Sequence, residues 1–157
     1  MRNFTFLLVL LLAITSCDPF HTILTEEDVN YYQSVDLNEV SIPDTLRVMT
    51  WNVKFGGGRI DFFFDCYGDR VVMEESEVID NLKGLASKIK QYNPDILFLQ
   101  EVDMDSKRSA KVNQMQWLLD NTDLNYGVYA SQWKADYVPS DGIGRINSGN
   151  GILTKWE

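Results

Sequence analysis

Asn52 and Glu101 are the two positions where an oxygen-bearing polar side chain ends an apolar run, and both carry donors suited to a hard cation. In Asn93-Pro94-Asp95-Ile96-Leu97-Phe98-Leu99-Gln100-Glu101-Val102-Asp103, a turn leads into an apolar run that stops on Gln100 and Glu101. A short apolar run bounded by turn residues predicts a strand buried on both faces. A carboxylate where such a strand leaves the core is held on a rigid support, at the rim where ligands bind. Leu46-Arg47-Val48-Met49-Thr50-Trp51-Asn52-Val53-Lys54 alternates into a second strand and delivers the Asn52 amide. Together they outline an oxygen site for Mg2+ or Mn2+, ions that take one or two carboxylates and keep several waters.

The intervening residues must position these two. Glu74-Glu75-Ser76-Glu77 opens a helix, with acids in the first turn where the helix dipole favours them. Val78, Leu82, Leu85, Ala86 and Ile89 fall on one apolar stripe, Lys83, Lys88 and Lys90 face water, and Asn93-Pro94 ends the helix. It is a crossover that packs on the sheet and feeds the Glu101 strand. Val112 to Leu119 predicts a second short helix, Tyr126 to Ala130 a strand, Ser131 to Asn147 a loop, and Ser148 to Thr154 a final strand. Between the Asn52 strand and the first helix lies a Gly- and Asp-rich loop holding Phe62-Phe63-Phe64. These aromatics either tuck the loop onto the core or form an apolar lip. Its glycines lack the Lys-Ser/Thr of a phosphate loop. Arg59 and Arg70 read as solvated, Cys66 as a buried thiol, and Asp103 as either a helper of metal-bound water or a solvated acid.

The start of the chain has its own design. Met1-Arg2-Asn3 precedes a short apolar core, Phe4 to Ile14, which fits a secretory signal and is too short to span a bilayer. Ile14-Thr15-Ser16-Cys17 resembles the bacterial lipoprotein cleavage box, with Cys17 as the acylated residue. The expected organisation is a signal peptide over 1–16, a lipid-anchored tether over 17–44, and a domain over 45–157. Acyl chains on Cys17 would hold the product stably on a membrane, exported and facing the periplasm or the cell surface. With Cys17 acylated, Cys66 has no intrachain partner. His21 is the single histidine and lies in the tether.

At 157 residues there is room for one domain, and 12% aromatic content argues against disorder. The net charge is −9, and losing residues 1–16 removes Arg2 and no acid, leaving −10. A surface of that sign lacks the cationic footprint of nonspecific nucleic-acid binding.

Met49 to Val53 and Pro94 to Val102 closely resemble the first two signature strands of the endonuclease/exonuclease/phosphatase superfamily. Ser148-Gly149-Asn150-Gly151-Ile152-Leu153-Thr154 resembles its later Gly-(Asn)-small-Ile-Leu-Ser/Thr strand, and all three occur in the family's order. The family includes DNase I-like nucleases, sphingomyelinases and inositol-phosphate phosphatases. The resemblance implies an α/β fold, here one half of a two-layer α/β sandwich, and metal-assisted phosphoester hydrolysis. In that reading Glu101 and Asn52 are catalytic and hold the metal, with Asn52 donating to the phosphate or orienting a metal water. It also implies a histidine base and further Asp and Asn ligands in a second half. His21 lies upstream of the first motif, and no Asp-x-Asn or Ser-Asp-His follows.

The expectation is therefore half of an active site without phosphodiesterase activity, as a fragment, a split gene or a decayed copy. One sheet face would stay uncovered and call for a partner such as the missing C-terminal half. Lys54 and Asn147 depart from nuclease branches that carry an acid and a tyrosine there. Nucleic acid, lipid headgroups and sugar phosphates all remain candidate substrates, and a noncatalytic surface-anchored binding module is the alternative.

Overall fold

A computed structural model describes residues 29–157. The signal segment, Cys17 and His21 lie outside the described residues. Five strands form one mixed sheet: β1 (Asn30–Gln33), β2 (Val48–Asn52), β3 (Ile96–Asp103), β4 (Tyr126–Val138) and β5 (Gly144–Thr154), in the order β1-β4-β5-β3-β2. Only β2 and β3 run parallel, and a parallel pair needs a crossover. Helix α1 (Glu75–Tyr92) supplies it, and α2 (Gln114–Asp120) follows β3.

Helix α1 forms where the sequence predicts it. Glu74 and Glu77 close a reciprocal capping box, and Asn93 ends the helix in a left-handed conformation at φ 45°. Val78, Leu82, Ala86 and Ile89 are buried, each large member worth roughly 1.5–3 kcal/mol. They pack with Leu97, Leu99, Met115, Leu118, Leu119 and Leu153 on one face of the sheet. Gly151 lets α2 sit close, because a Cβ there would stand 2.4 Å from Met115 Sδ. No helix among the described residues is long and apolar enough to cross a membrane.

This is an α/β fold with helices on one side of the sheet only, the single layer that the resemblance implies as half of a sandwich. Consequently β3 is not buried on both faces. Leu97 and Leu99 face the helices at 0% and 1% exposure, whereas Phe98 on the other face is 39% exposed. Val48 and Tyr31 are exposed as well. The open face carries a shallow cavity of about 510 Å3 lined by Tyr31, Tyr126, Val128, Ile152, Thr154 and Trp156.

Three further features differ from expectation. Part of the expected tether is built into the sheet, since β1 pairs antiparallel with β4. Beyond it, Asn125 exchanges hydrogen bonds with Asn38 at 2.8 and 2.7 Å, and Trp156 Nε1 donates to the Val40 carbonyl. The expected loop over 131–147 is mostly strand, because β4 and β5 form a long hairpin with bulges after Ser131 and Ala135. Its far end has its own small core of Ala135, Val138, Ile143 and Ile146. Finally, Cys66 is exposed rather than buried. The Phe62 side chain occupies the inward place in that loop, at 0% exposure, while Phe63 and Phe64 remain exposed.

Candidate metal-binding rim

Asn52 is the last residue of β2, in register with Gln100 on β3. By the period of two, Glu101 would follow Leu97 and Leu99 into the helix-packed core. A β-bulge prevents this. Pairing between β3 and β5 shifts register between Leu99 and Val102, and Glu101 takes φ 56°. The extra residue re-aims the carboxylate to the exposed rim, while Val102 resumes the buried pattern. There Asn52 Nδ2 donates to Glu101 Oε1 at 2.7 Å.

The two predicted site residues are therefore in direct contact. Asn52 Oδ1 accepts from the Lys54 backbone N–H at 2.9 Å, which fixes the amide with its nitrogen toward Glu101. In this arrangement Asn52 orients the carboxylate rather than presenting an oxygen beside it. Glu101 Oε2 has no hydrogen-bond donor among the described residues. Its hard, anionic oxygen suits Mg2+ or Mn2+, and such an ion would complete its shell with water and substrate oxygens. Among the described residues no group of three or more His, Cys, Asp or Glu side chains could hold a metal.

A left-handed conformation at a residue with a side chain costs of order 1–3 kcal/mol and persists where the surroundings impose it. Glu101→Gly is therefore expected to be about 1 kcal/mol more stable than Glu101→Ala, since neither keeps the carboxylate and only glycine relieves the backbone. Chemical denaturation of the two variants checks this, and equal midpoints would remove strain from the account.

Beside the rim lies a layer that sequence reasoning missed. Asp103 is neither solvated nor at the metal position, because it is fully buried. Arg108 Nε and Nη2 donate to its two oxygens at 2.8 and 2.9 Å, and Ser109 Oγ donates at 2.9 Å. The Arg108 guanidinium lies 3.9 Å from the centre of the Phe55 ring. Buried Gln114 joins this layer to the Gly-rich loop, accepting from Asp103 N–H at 3.1 Å and donating to the Phe55 carbonyl at 2.7 Å. Lys54 pairs with Asp65 at 2.8 Å and closes the same loop, which accounts for its place next to the motif asparagine. Arg70 is likewise paired, with Glu77 at 2.6 Å. Tyr129 lies beneath, its hydroxyl donating to Asn147 Oδ1 at 3.0 Å, and burial pushes its phenol pKa up. Nothing in the composition distinguishes these charges from solvated ones; the spacing of Asp103, Arg108 and Ser109 is the only trace they leave.

A parallel β2–α1–β3 unit thus presents an amide and a carboxylate side by side at neighbouring strand ends. The model of the Endonuclease/Exonuclease/phosphatase family matches residues 49–157, and the chain belongs to that family. No curated protein and no solved structure gives a significant match.

Proposed function

We propose that this chain is the part of a phosphoester hydrolase that binds the divalent metal, with Glu101 as the protein ligand and Asn52 holding it in place. The observation that carries this reading is the 2.7 Å contact between the two side chains at a bulge that turns Glu101 out of the core. A bound Mg2+ or Mn2+ would supply Lewis acidity toward a phosphoryl oxygen. The protein's own part is to hold one carboxylate oxygen at the rim and fix its direction through the amide. Hydrolysis also needs a base, and His21 is the single histidine of the chain. Residues 1–157 alone are therefore proposed to bind metal without turning over a phosphodiester.

Titration of the full chain with Mg2+ and Mn2+ by calorimetry tests this. Saturable binding is expected in the wild type and not in Glu101→Gln, while Asn52→Ala weakens it about 10–100-fold, as loss of an orienting partner does. Unchanged binding in Glu101→Gln would sink the assignment, and metal-dependent turnover abolished by Glu101→Ala would sink the claim of inactivity.

The open sheet face, with Val48, Phe98 and Tyr31 exposed, supports a partner for this chain, which we take to be a complementary half of the domain. A clean monomer in sedimentation velocity would count against it. Export and lipid anchoring rest on the pattern of residues 1–17. Labelled palmitate is expected to enter the wild type and not Cys17→Ala.

A further inference from the structure

We propose that Arg108 receives a phosphate oxygen of the substrate in the cavity beside Glu101, an inference that rests on the phosphoester reading above. The cavity holds about 530 Å3, and its walls include Phe55, Phe64, Glu101, Arg108, Trp133 and Ser148. Arg108 is only 9% exposed. Its hydrogen bonds hold the Nε and Nη2 edge: both oxygens of Asp103, and Ser148 Oγ at 3.1 Å. Among the described residues none accepts from Nη1.

The bidentate pair does two things. It offsets the charge of the guanidinium, which makes its burial tolerable, and it locks the guanidinium plane. Stacking on Phe55 at 3.9 Å holds the same plane from one side. A side chain fixed this way loses little freedom when a ligand arrives, and a charge-assisted hydrogen bond from it gains strength in a partly desolvated wall.

Charge decides what the site can take. At −9 the chain draws no anion from a distance, and Glu101 in the same wall repels one at close range. A divalent ion on Glu101 reverses that local sign. Phosphate binding at Arg108 is therefore coupled to metal binding at Glu101, which lines the same cavity.

The test uses guanidinium nitrogen NMR on the full chain, titrated with inorganic phosphate with and without saturating Mg2+. The Nη1 signal of Arg108 is expected to shift on saturation, about tenfold more tightly with Mg2+ present. Arg108→Lys is expected to lose about tenfold in phosphate affinity, the scale of one charge-assisted bond, while keeping its Mg2+ affinity. Phosphate that leaves the wild-type Arg108 signals unmoved would overturn the proposal even where Mg2+ binds normally. If Mg2+ does not bind and phosphate still moves Nη1, the metal reading falls and the Arg108 assignment stands. Should Arg108→Lys fail to fold, the wild-type titration alone decides.

Discussion

Asp103→Asn is expected to destabilise the protein by about 3–5 kcal/mol, the cost of removing one partner from a buried ion pair. Asp103 is 0% exposed and holds Arg108 through two hydrogen bonds. The amide keeps the shape but offers Arg108 a neutral oxygen and a repelling N–H pair. The guanidinium is then left charged, buried and half-satisfied under Phe55. Ser109 loses its charged acceptor too. At the scale of a domain this size, the melting temperature should fall by about 10 °C or more. Pairing Asp103→Leu with Arg108→Met should recover much of the loss, since apolar residues of similar volume replace buried ion pairs without penalty. A thermal melt of Asp103→Asn within 2 °C of wild type, on the order of one kcal/mol or less, would show that the pair is not what holds this layer.

Acid should unfold the protein partly through Asp95. Its Oδ2 accepts from the Arg47 N–H at 2.7 Å and its Oδ1 from Lys155 Nζ at 2.8 Å. These bonds join the lead-in to β2, the start of β3 and the end of β5. The Arg47 backbone donor, followed by Lys155, holds the carboxyl below its usual pKa. The sign follows from that direction. A depressed folded pKa means the stabilisation is whole above the unfolded value of about 3.9 and is lost as pH falls through the lower folded value.

At neutral pH, Asp95→Asn leaves the Lys155 ammonium buried and costs about 3 kcal/mol. Below about pH 4 the gap to wild type should begin to narrow, because the unfolded wild-type carboxyl takes up a proton there, and it should close once pH falls below the lower folded value. Asp65 and Glu77, lowered by Lys54 and Arg70, leave the variant with some acid dependence of its own. Denaturation midpoints of both proteins between pH 2 and 7 check this. A gap that stays constant across that range would dissociate Asp95 from the acid limb.

Legibility varied by element for definite reasons. The α1 stripe and its capping acids read correctly because period, cap and stop all lie within one local window. Asn52 and Glu101 stood out because each breaks an apolar run, and the structure places them 2.7 Å apart. The short edge strand β1 escaped notice: Tyr31 and Tyr32 lie in polar surroundings, and only β4, far along the chain, makes a strand of them. The β4–β5 hairpin escaped because its bulges interrupt the alternation on which strand reading depends. Burial on both faces was expected of β3, yet the run of four apolar residues is shared between a helix-covered side and an open one. Phe98 meets the same local pattern as Leu97 and Leu99, and only the absence of a layer above it among the described residues leaves it exposed.

What residue order alone determined here is helix α1, the strands β2 and β3 and the polar side chains that end them, because propensity, period and capping act over a few neighbours. The tertiary structure decided which way those side chains face. Glu101 reaches the rim only because pairing with β5 inserts a bulge, and Asp103 and Arg108 are buried together only because the chain after β3 folds back beneath Phe55 and Ser148. Such pairings join residues from separate elements, and a charge looks the same in sequence whether it ends in water or against its partner.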